Sequence, residues 1–145
     1  MSHMNAVVLA GGILRKDEPL FSQAPEGKRC LLDIHGQPMV QWVLNALDDS
    51  KCIDEIFMIG LDNSQKLVSA KPLHYLQEES GLFDNIRAGV MAATDNHPPS
   101  SKVMLASGDL PAIRPEMVDW LCSQVTQDPD AVIYYNVITK EVMTS

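Results

Sequence analysis

Short apolar runs alternate along the chain with segments in which apolar residues recur every three or four positions. Residues 5–10 form the first run, which ends at Gly11-Gly12 and predicts a buried strand entering a turn. Similar runs predict four more strands, at residues 55–60, 73–76, 102–106 and 131–137.

Helical spacing appears between these strands. A helix is predicted from residue 38, and its buried face holds Val40, Val43, Leu44 and Leu47. A second helix is predicted from a cap at Asp84 to about residue 94, and a third from Pro115 to about residue 126. Residues 13–30 have no clean period and predict a long loop, and residues 97–100 predict a chain break before the fourth strand.

This order of strands and helices predicts an α/β fold with a doubly wound, mainly parallel sheet, because βαβ crossovers cover both sheet faces. Ligands of such sheets bind at the carboxyl ends of the strands. Gly11-Gly12 follows the first predicted strand and Asp109 follows the fourth. The topology therefore places a glycine turn and a carboxylate on the same edge of the sheet.

The composition is that of one globular domain, with 145 residues of which 46% are hydrophobic. Residues 1–3 are interpreted as a cloning remnant, and the domain as residues 4–145. The apolar runs are too short to span a bilayer and no signal peptide is recognisable, so we expect a cytoplasmic protein without a membrane partner. A formal net charge of −8 argues against nucleic acid as a partner, although a small anion responds to local charge.

The cysteines and histidines do not indicate a metal site. Cys30, Cys52 and Cys122 are widely spaced and form no CxxC motif, so we interpret each as a small buried hydrophobe rather than a metal ligand, disulfide partner or nucleophile. The four histidines form no HExxH motif, which disfavours a zinc site.

The glycine turn is the first candidate for chemistry, because Gly11-Gly12 allows the backbone to approach a phosphate and point its N–H groups at it. Cations stabilise the charge that develops in phosphoryl transfer. Four basic residues follow the turn: Arg15, Lys16, Lys28 and Arg29. The alternative is a plain tight turn before a solvated loop.

Asp109, beside Gly108 at the end of a predicted strand, is the second candidate. A carboxylate in this position can hold Mg²⁺ while the metal bridges phosphate oxygens. An aspartate that caps the turn before Pro111 is an equally good interpretation.

The third candidate is the segment of residues 81–89. Asn85 falls in the first turn of the predicted helix, and Gly89 removes a side chain four residues later on the same face. A nucleobase or ribose could lie against that bare patch. Close packing of the helix on the sheet also explains Gly89, and is the default interpretation from spacing alone.

Four stretches of the sequence, taken in order, resemble the MobA-like NTP transferase domain of molybdenum cofactor guanylyltransferases and nucleotide-sugar pyrophosphorylases. They are residues 7–12, 28–40, 81–89 and 108–111. The resemblance runs from about residue 4 to 142, and implies a Rossmann-like, GT-A-type nucleotidyltransferase fold. It implies that an NTP and a phosphorylated acceptor react to a nucleotidylated product and pyrophosphate. It further implies phosphate contacts from Leu9, Ala10, Gly11, Gly12 and Arg15, base and ribose contacts from Asn85 and Gly89, and Mg²⁺ on Asp109.

The chain departs from the family pattern in two places. The family has a lysine two residues before Leu-Leu, whereas here that position is Arg29 and Lys28 lies one residue further back, so either side chain is a candidate for the catalytic cation. The family domain also continues well past residue 145, so we expect a domain that is incomplete at its C-terminus.

Three hypotheses follow from these departures. The first is an NTP-binding nucleotidyltransferase that uses Mg²⁺, and the second is a shortened, inactive homologue that persists as a folded binding protein. A dinucleotide-binding domain is the third, in which Asp62 would supply the expected acid, but the glycine pattern disfavours it. The apolar residues 131–142 predict a homodimer, because a long bare strand edge pairs with other chains.

Overall fold

The computed structural model describes residues 2–95 and 101–144, so the chain break predicted at residues 97–100 lies outside the described residues. In chain order the elements are β1 (Met4–Leu9), β2 (Asp33–Ile34), β3 (Gln37–Pro38), α1 (Met39–Asp49), β4 (Ile53–Ile59), β5 (Leu73–Leu76), α2 (Leu82–Thr94), β6 (Val103–Ser107), α3 (Pro115–Gln127) and α4 (Lys140–Thr144). Single 3₁₀ turns lie at Phe21–Gln23, Pro25–Gly27, Arg29–Leu31 and Asn63–Gln65. No helix in the described ranges is long and apolar enough to cross a membrane.

Four parallel strands form the central sheet in the order β5-β4-β1-β6, and β2 and β3 form a separate antiparallel pair. Helices α1 and α3 pack on one face, over a core that includes Val8 and Met58. Helix α2 covers the other face, against Val7 and Ile59. The predicted doubly wound, mainly parallel α/β fold is therefore confirmed, and the carboxyl ends of β1 and β6 lie side by side.

The helix boundaries follow the apolar spacing closely. Each of the four apolar residues predicted to face the core from α1 is fully buried: Val40, Val43, Leu44 and Leu47. Helix α2 begins at Leu82 with Gly81 as its N-cap, so the prediction that Asp84 caps it is wrong. The Asp84 carboxylate instead accepts a hydrogen bond from the Ser80 hydroxyl at 3.0 Å.

The long loop after β1 closes on itself. The Leu14 N–H donates to the Gly27 carbonyl at 2.8 Å, and the Arg29 N–H donates to the Gly12 carbonyl at 3.0 Å. Leu14 and Ala24 pack with the buried Leu32 in a small apolar cluster inside the loop. These contacts hold Arg29 next to the glycine turn.

Residues 131–137 are irregular, so the predicted fifth strand is wrong. The segment lies beside the free edge of β6, where the Lys102 ammonium donates to the Ala131 carbonyl at 2.7 Å and the Tyr134 hydroxyl bonds the Asp128 carbonyl. Preference for a strand expresses how well a side chain fits a paired, half-buried surface, and this segment pairs with no strand in the described structure.

The prediction that no cysteine takes part in a disulfide is also wrong. Cys52 and Cys122 form a disulfide across a sequence separation of 70 residues, with their Cα atoms 6.5 Å apart. Both lie in the core, where α3 packs beside the residues that lead into β4. Spacing along the chain carries no information on this distance, because folding brings the two segments together. Cys30 is free and buried, as predicted.

Candidate functional site

A cavity of about 400 Å³ opens at the carboxyl ends of the strands, between β1, β6 and the start of α2. Seven of the residues predicted for the site line it: Leu9, Ala10, Gly11, Gly12, Arg29, Asn85 and Asp109. The remaining lining residues are Cys30, Ile59, Ser107 and the run 78–82. The fold therefore brings four separate sequence segments, at residues 9–12, 29, 85 and 109, to one place.

The glycine turn forms the wall above β1. Within the described residues the N–H groups of Gly11 and Gly12 donate no hydrogen bond, so neither amide has an intramolecular acceptor. A Cβ atom on Gly12 would meet nothing within 4 Å, which shows that this part of the turn faces open space. Gly60 supports the turn from the end of β4, because a Cβ there would lie 2.3 Å from the Gly11 nitrogen and its φ is +100°.

Asp109 stands opposite the turn, and both of its carboxylate oxygens have partners. The Ser107 hydroxyl donates to Oδ1 at 2.5 Å, and the Arg29 guanidinium lies 3.6 Å from Oδ2. The side chains of Arg29 and Asp109 are 44% and 35% exposed, so solvent and ligands reach both. The predicted cation and the predicted metal ligand are thus adjacent.

The carboxylates of the cavity outnumber its cations. Three carboxylate residues, Glu78, Glu79 and Asp109, line it, against one arginine, Arg29. A triphosphate in this cavity would meet repulsion that a bound divalent cation offsets. A lone carboxylate suits Mg²⁺, which takes one or two protein carboxylates together with phosphate oxygens and water. The described residues contain no cluster of three His, Cys, Asp or Glu side chains that could hold a metal without such help.

Cys30 lines the cavity without the properties of a nucleophile. Burial raises the pKa of its thiol to about 11, against the weaker opposing effect of the nearby Lys28 charge. The thiol is therefore protonated at neutral pH, and it donates to the Ala10 carbonyl at 3.1 Å. Its role here is to pack the floor of the site.

Three of the residues predicted for the site lie outside this cavity. The Lys28 ammonium donates to the Gly60 carbonyl at 3.0 Å and lines a neighbouring pocket with Asp62. Arg15 is 76% exposed and pairs with Asp17 and Glu18 on the loop surface. Gly89 packs on the sheet.

The run Glu78-Glu79-Ser80 also borders the cavity, although these residues were not predicted as part of the site. The Glu78 carboxylate covers Gly11, and the Glu79 N–H donates to Oδ1 of Asn85 at 2.7 Å. Asn85 thus holds this segment against α2. The available signal was topological, because residues that directly follow a parallel strand, here β5, lie on the ligand-binding edge of the sheet.

The profile of the MobA-like NTP transferase domain matches residues 6–141. The chain belongs to this family. Its relatives include a probable molybdenum cofactor guanylyltransferase of Thermococcus gammatolerans, 29% identical over 99 residues that cover 68% of this chain and 48% of the relative. The chain spans about half the length of the curated relatives it matches, 48% and 54%.

Solved structures share the fold of this MobA-like domain. A hypothetical transferase from Thermus thermophilus is 26% identical with a TM-score of 0.64, over 92% of this chain and 58% of the other. A CMP:2-keto-3-deoxy-manno-octonic acid synthetase in complex with CTP is 21% identical with a TM-score of 0.63, over 89% and 49%. A Mycobacterium tuberculosis H37Rv protein in complex with manganese is 13% identical with a TM-score of 0.54, over 86% and 60%. The last two similarities establish the fold alone.

Proposed function

We propose that this MobA-like domain is part of a cytoplasmic nucleotidyltransferase that binds an NTP with Mg²⁺ and transfers the nucleotidyl group to a phosphorylated acceptor, releasing pyrophosphate. The observation that carries the proposal is the meeting of the glycine turn, Arg29 and Asp109 at one cavity. Family membership supports the reaction class.

Each wall of the cavity has a task in this proposal. The free amides of Gly11 and Gly12, together with the backbone at Leu9 and Ala10, hold the phosphates, and the Arg29 guanidinium stabilises the charge that develops on them. Asp109 would hold the Mg²⁺. A bound Mg²⁺ would neutralise phosphate oxygens and orient the acceptor for attack.

The structure supports the remaining proposed contacts unequally. Asn85 lines the cavity, which favours its proposed place near the base or ribose. For the other three residues the geometry offers no support. Arg15 pairs with Asp17 on the loop surface, the Lys28 ammonium donates to the Gly60 carbonyl, and Gly89 packs on the sheet.

A nucleotide panel measured by thermal unfolding, with and without Mg²⁺, tests the proposal. A ligand that binds only the folded state stabilises it by about 2.7 kcal/mol at about 100 times its Kd. We expect stabilisation by at least one NTP with Mg²⁺, and its loss in Asp109→Asn. Asp130→Asn is the control, since Asp130 is exposed and does not line the cavity. The metal assignment fails if Asp109→Asn responds to Mg-NTP like the parent protein.

A nucleotide-binding protein without transferase activity is the second candidate. It is favoured by the single carboxylate, Asp109, that we assign to the metal, with no three-residue metal cluster among the described residues. A pyrophosphate-release assay with a panel of sugar phosphates and other phosphorylated acceptors separates the two candidates, because only the transferase releases pyrophosphate.

We also propose that the protein is a homodimer, through the segment of residues 131–142. The support is its exposed apolar surface, which includes Val132, Ile133, Tyr135, Val137, Ile138 and Val142.

A further inference from the structure

The metal ligand assigned above already has a cation beside it. Oδ2 of Asp109 lies 3.6 Å from Nη1 of Arg29, while the Ser107 hydroxyl occupies Oδ1. Ser107 ends β6 in register with Leu9 of β1, so the hydroxyl that orients the carboxylate sits on the sheet itself. The carboxylate is therefore held with one oxygen directed at the guanidinium.

Arg29 also belongs to the glycine turn. Its backbone N–H donates to the Gly12 carbonyl at 3.0 Å, which places the start of its side chain beside the two free amides. The Arg29 side chain is 44% exposed. Among the described residues its guanidinium makes no hydrogen bond, and its one ionic contact is the one to Asp109, so rotation about its side-chain bonds moves it at low cost. The same cation is within reach of both the carboxylate and the turn.

We propose that Arg29 is the resident counter-ion of Asp109, and that it exchanges this carboxylate for the triphosphate when a divalent cation takes its place. The inference rests on the proposed function for the identity of the anion. A divalent cation that arrives alone must displace the guanidinium and leave it without a partner. With a triphosphate present, Arg29 gains a new acceptor as Asp109 gains the metal, so nucleotide and metal favour each other's binding.

The charge balance of the cavity explains why such an exchange is useful. With Arg29 on Asp109, the cavity retains the uncompensated carboxylates of Glu78 and Glu79. These repel a free triphosphate, whereas the nucleotide with its metal brings less negative charge. The ion pair thus selects for metal and nucleotide arriving together.

Titration with Mn²⁺ alone, followed by the electron paramagnetic resonance signal of the free ion, tests the exchange without any nucleotide. Arg29→Gln removes the competing cation, so we expect it to bind Mn²⁺ about two- to fivefold more tightly than the parent, the range for relief from an exposed ion pair. The gain should vanish in Arg29→Gln/Asp109→Asn, which locates it at the carboxylate. Arg29→Lys, which keeps the charge, should resemble the parent.

Arg87→Gln is the matched control. Arg87 is an exposed arginine on α2 that does not line the cavity, so the variant has the same net charge as Arg29→Gln. It should bind Mn²⁺ like the parent, because an exposed charge outside the cavity is screened by solvent and salt. Thermal unfolding verifies that each variant is folded.

The two proposals fail in different ways. Unchanged or weaker Mn²⁺ binding by Arg29→Gln, or an equal gain in Arg87→Gln, overturns the exchange even if Mg-NTP still stabilises the parent protein. Absence of any Mg-dependent NTP stabilisation in the parent refutes the proposed function, while the Mn²⁺ comparison still reports on the ion pair.

Discussion

Gly89 has two interpretations, a bare patch for a nucleobase or ribose and close packing of α2 on the sheet. The space available to a Cβ atom at this position distinguishes them. A Cβ at this position would lie 2.5 Å from Cγ1 of Val7 and 3.1 Å from Cδ1 of Ile59. Both contacts belong to the sheet beneath α2, and the residue is buried. The glycine therefore lets the helix approach the sheet, and the packing alternative raised by the sequence accounts for it without a ligand.

The sign of the change in unfolding free energy in Gly89→Ala distinguishes the two interpretations. Overpacking against Val7 costs about 1–3 kcal/mol, whereas alanine gains about 1 kcal/mol over glycine in a helix that has room for it. We expect a net loss in the free energy of unfolding, measured by urea denaturation. A variant more stable than the parent, with weakened nucleotide binding, would instead place Gly89 at the ligand.

Helix α3 is tied to the rest of the fold by contacts at its core face. The Asp119 carboxylate accepts hydrogen bonds from the Ser50 hydroxyl at 2.7 Å and the Lys51 N–H at 2.8 Å, next to the Cys52–Cys122 disulfide. Disulfides persist in oxidising compartments, and cytosolic thiols are kept reduced. The proposed cytoplasmic location therefore implies that the dithiol form is present in cells.

Reduction should destabilise the fold, because the bond closes a loop across 70 residues. The chain-entropy relation assigns such a cross-link about 4.4 kcal/mol, and disulfides typically contribute about 2–4 kcal/mol. Urea unfolding with and without a phosphine reductant measures the effect. We expect a lower midpoint on reduction in the parent and in Cys30→Ala, whose thiol is free, and no response in Cys122→Ala. Equal midpoints for the oxidised and reduced parent would contradict the expectation.

At the scale of the whole molecule, the sheet of the described structure ends in two edge strands, β5 and β6. Strand β6 pairs only with β1, and an apolar groove of about 570 Å³ runs between it and residues 132–136. Ile133 and Tyr135 are 76% and 79% exposed, so the described part of the chain leaves them open to solvent. Bare edges and large apolar patches on folded proteins are covered by association.

Sedimentation velocity at micromolar concentration tests the proposed homodimer. We expect a dimer for the parent and a shift toward monomer for Ile133→Asp, because the charge would be buried at the interface. Val68→Asp is the control. Val68 is, like Ile133, an exposed β-branched hydrophobic residue, 71% accessible, but it lies outside the segment. A monomeric parent, or an equal shift in both variants, contradicts the interface.

Features that depend on neighbours in the chain were predictable. The spacing of Val40, Val43, Leu44 and Leu47 specified the buried face of α1, and β5 has the predicted bounds. Alternation of strands and helices then implied the parallel sheet, and the sheet implied that Gly11 and Asp109 share an edge. These inferences succeed because periodic burial and the handedness of βαβ units act over short stretches of chain.

Features that depend on distant segments required the folded molecule. The order of residues could not decide whether Lys28 or Arg29 is the cation of the site, because the two side chains line different pockets. Nor could it pair Cys52 with Cys122, or reveal that residues 131–137 meet no strand partner. Side-chain direction, cross-links and strand pairing are set by packing between segments far apart in the chain, and this information is absent from local spacing.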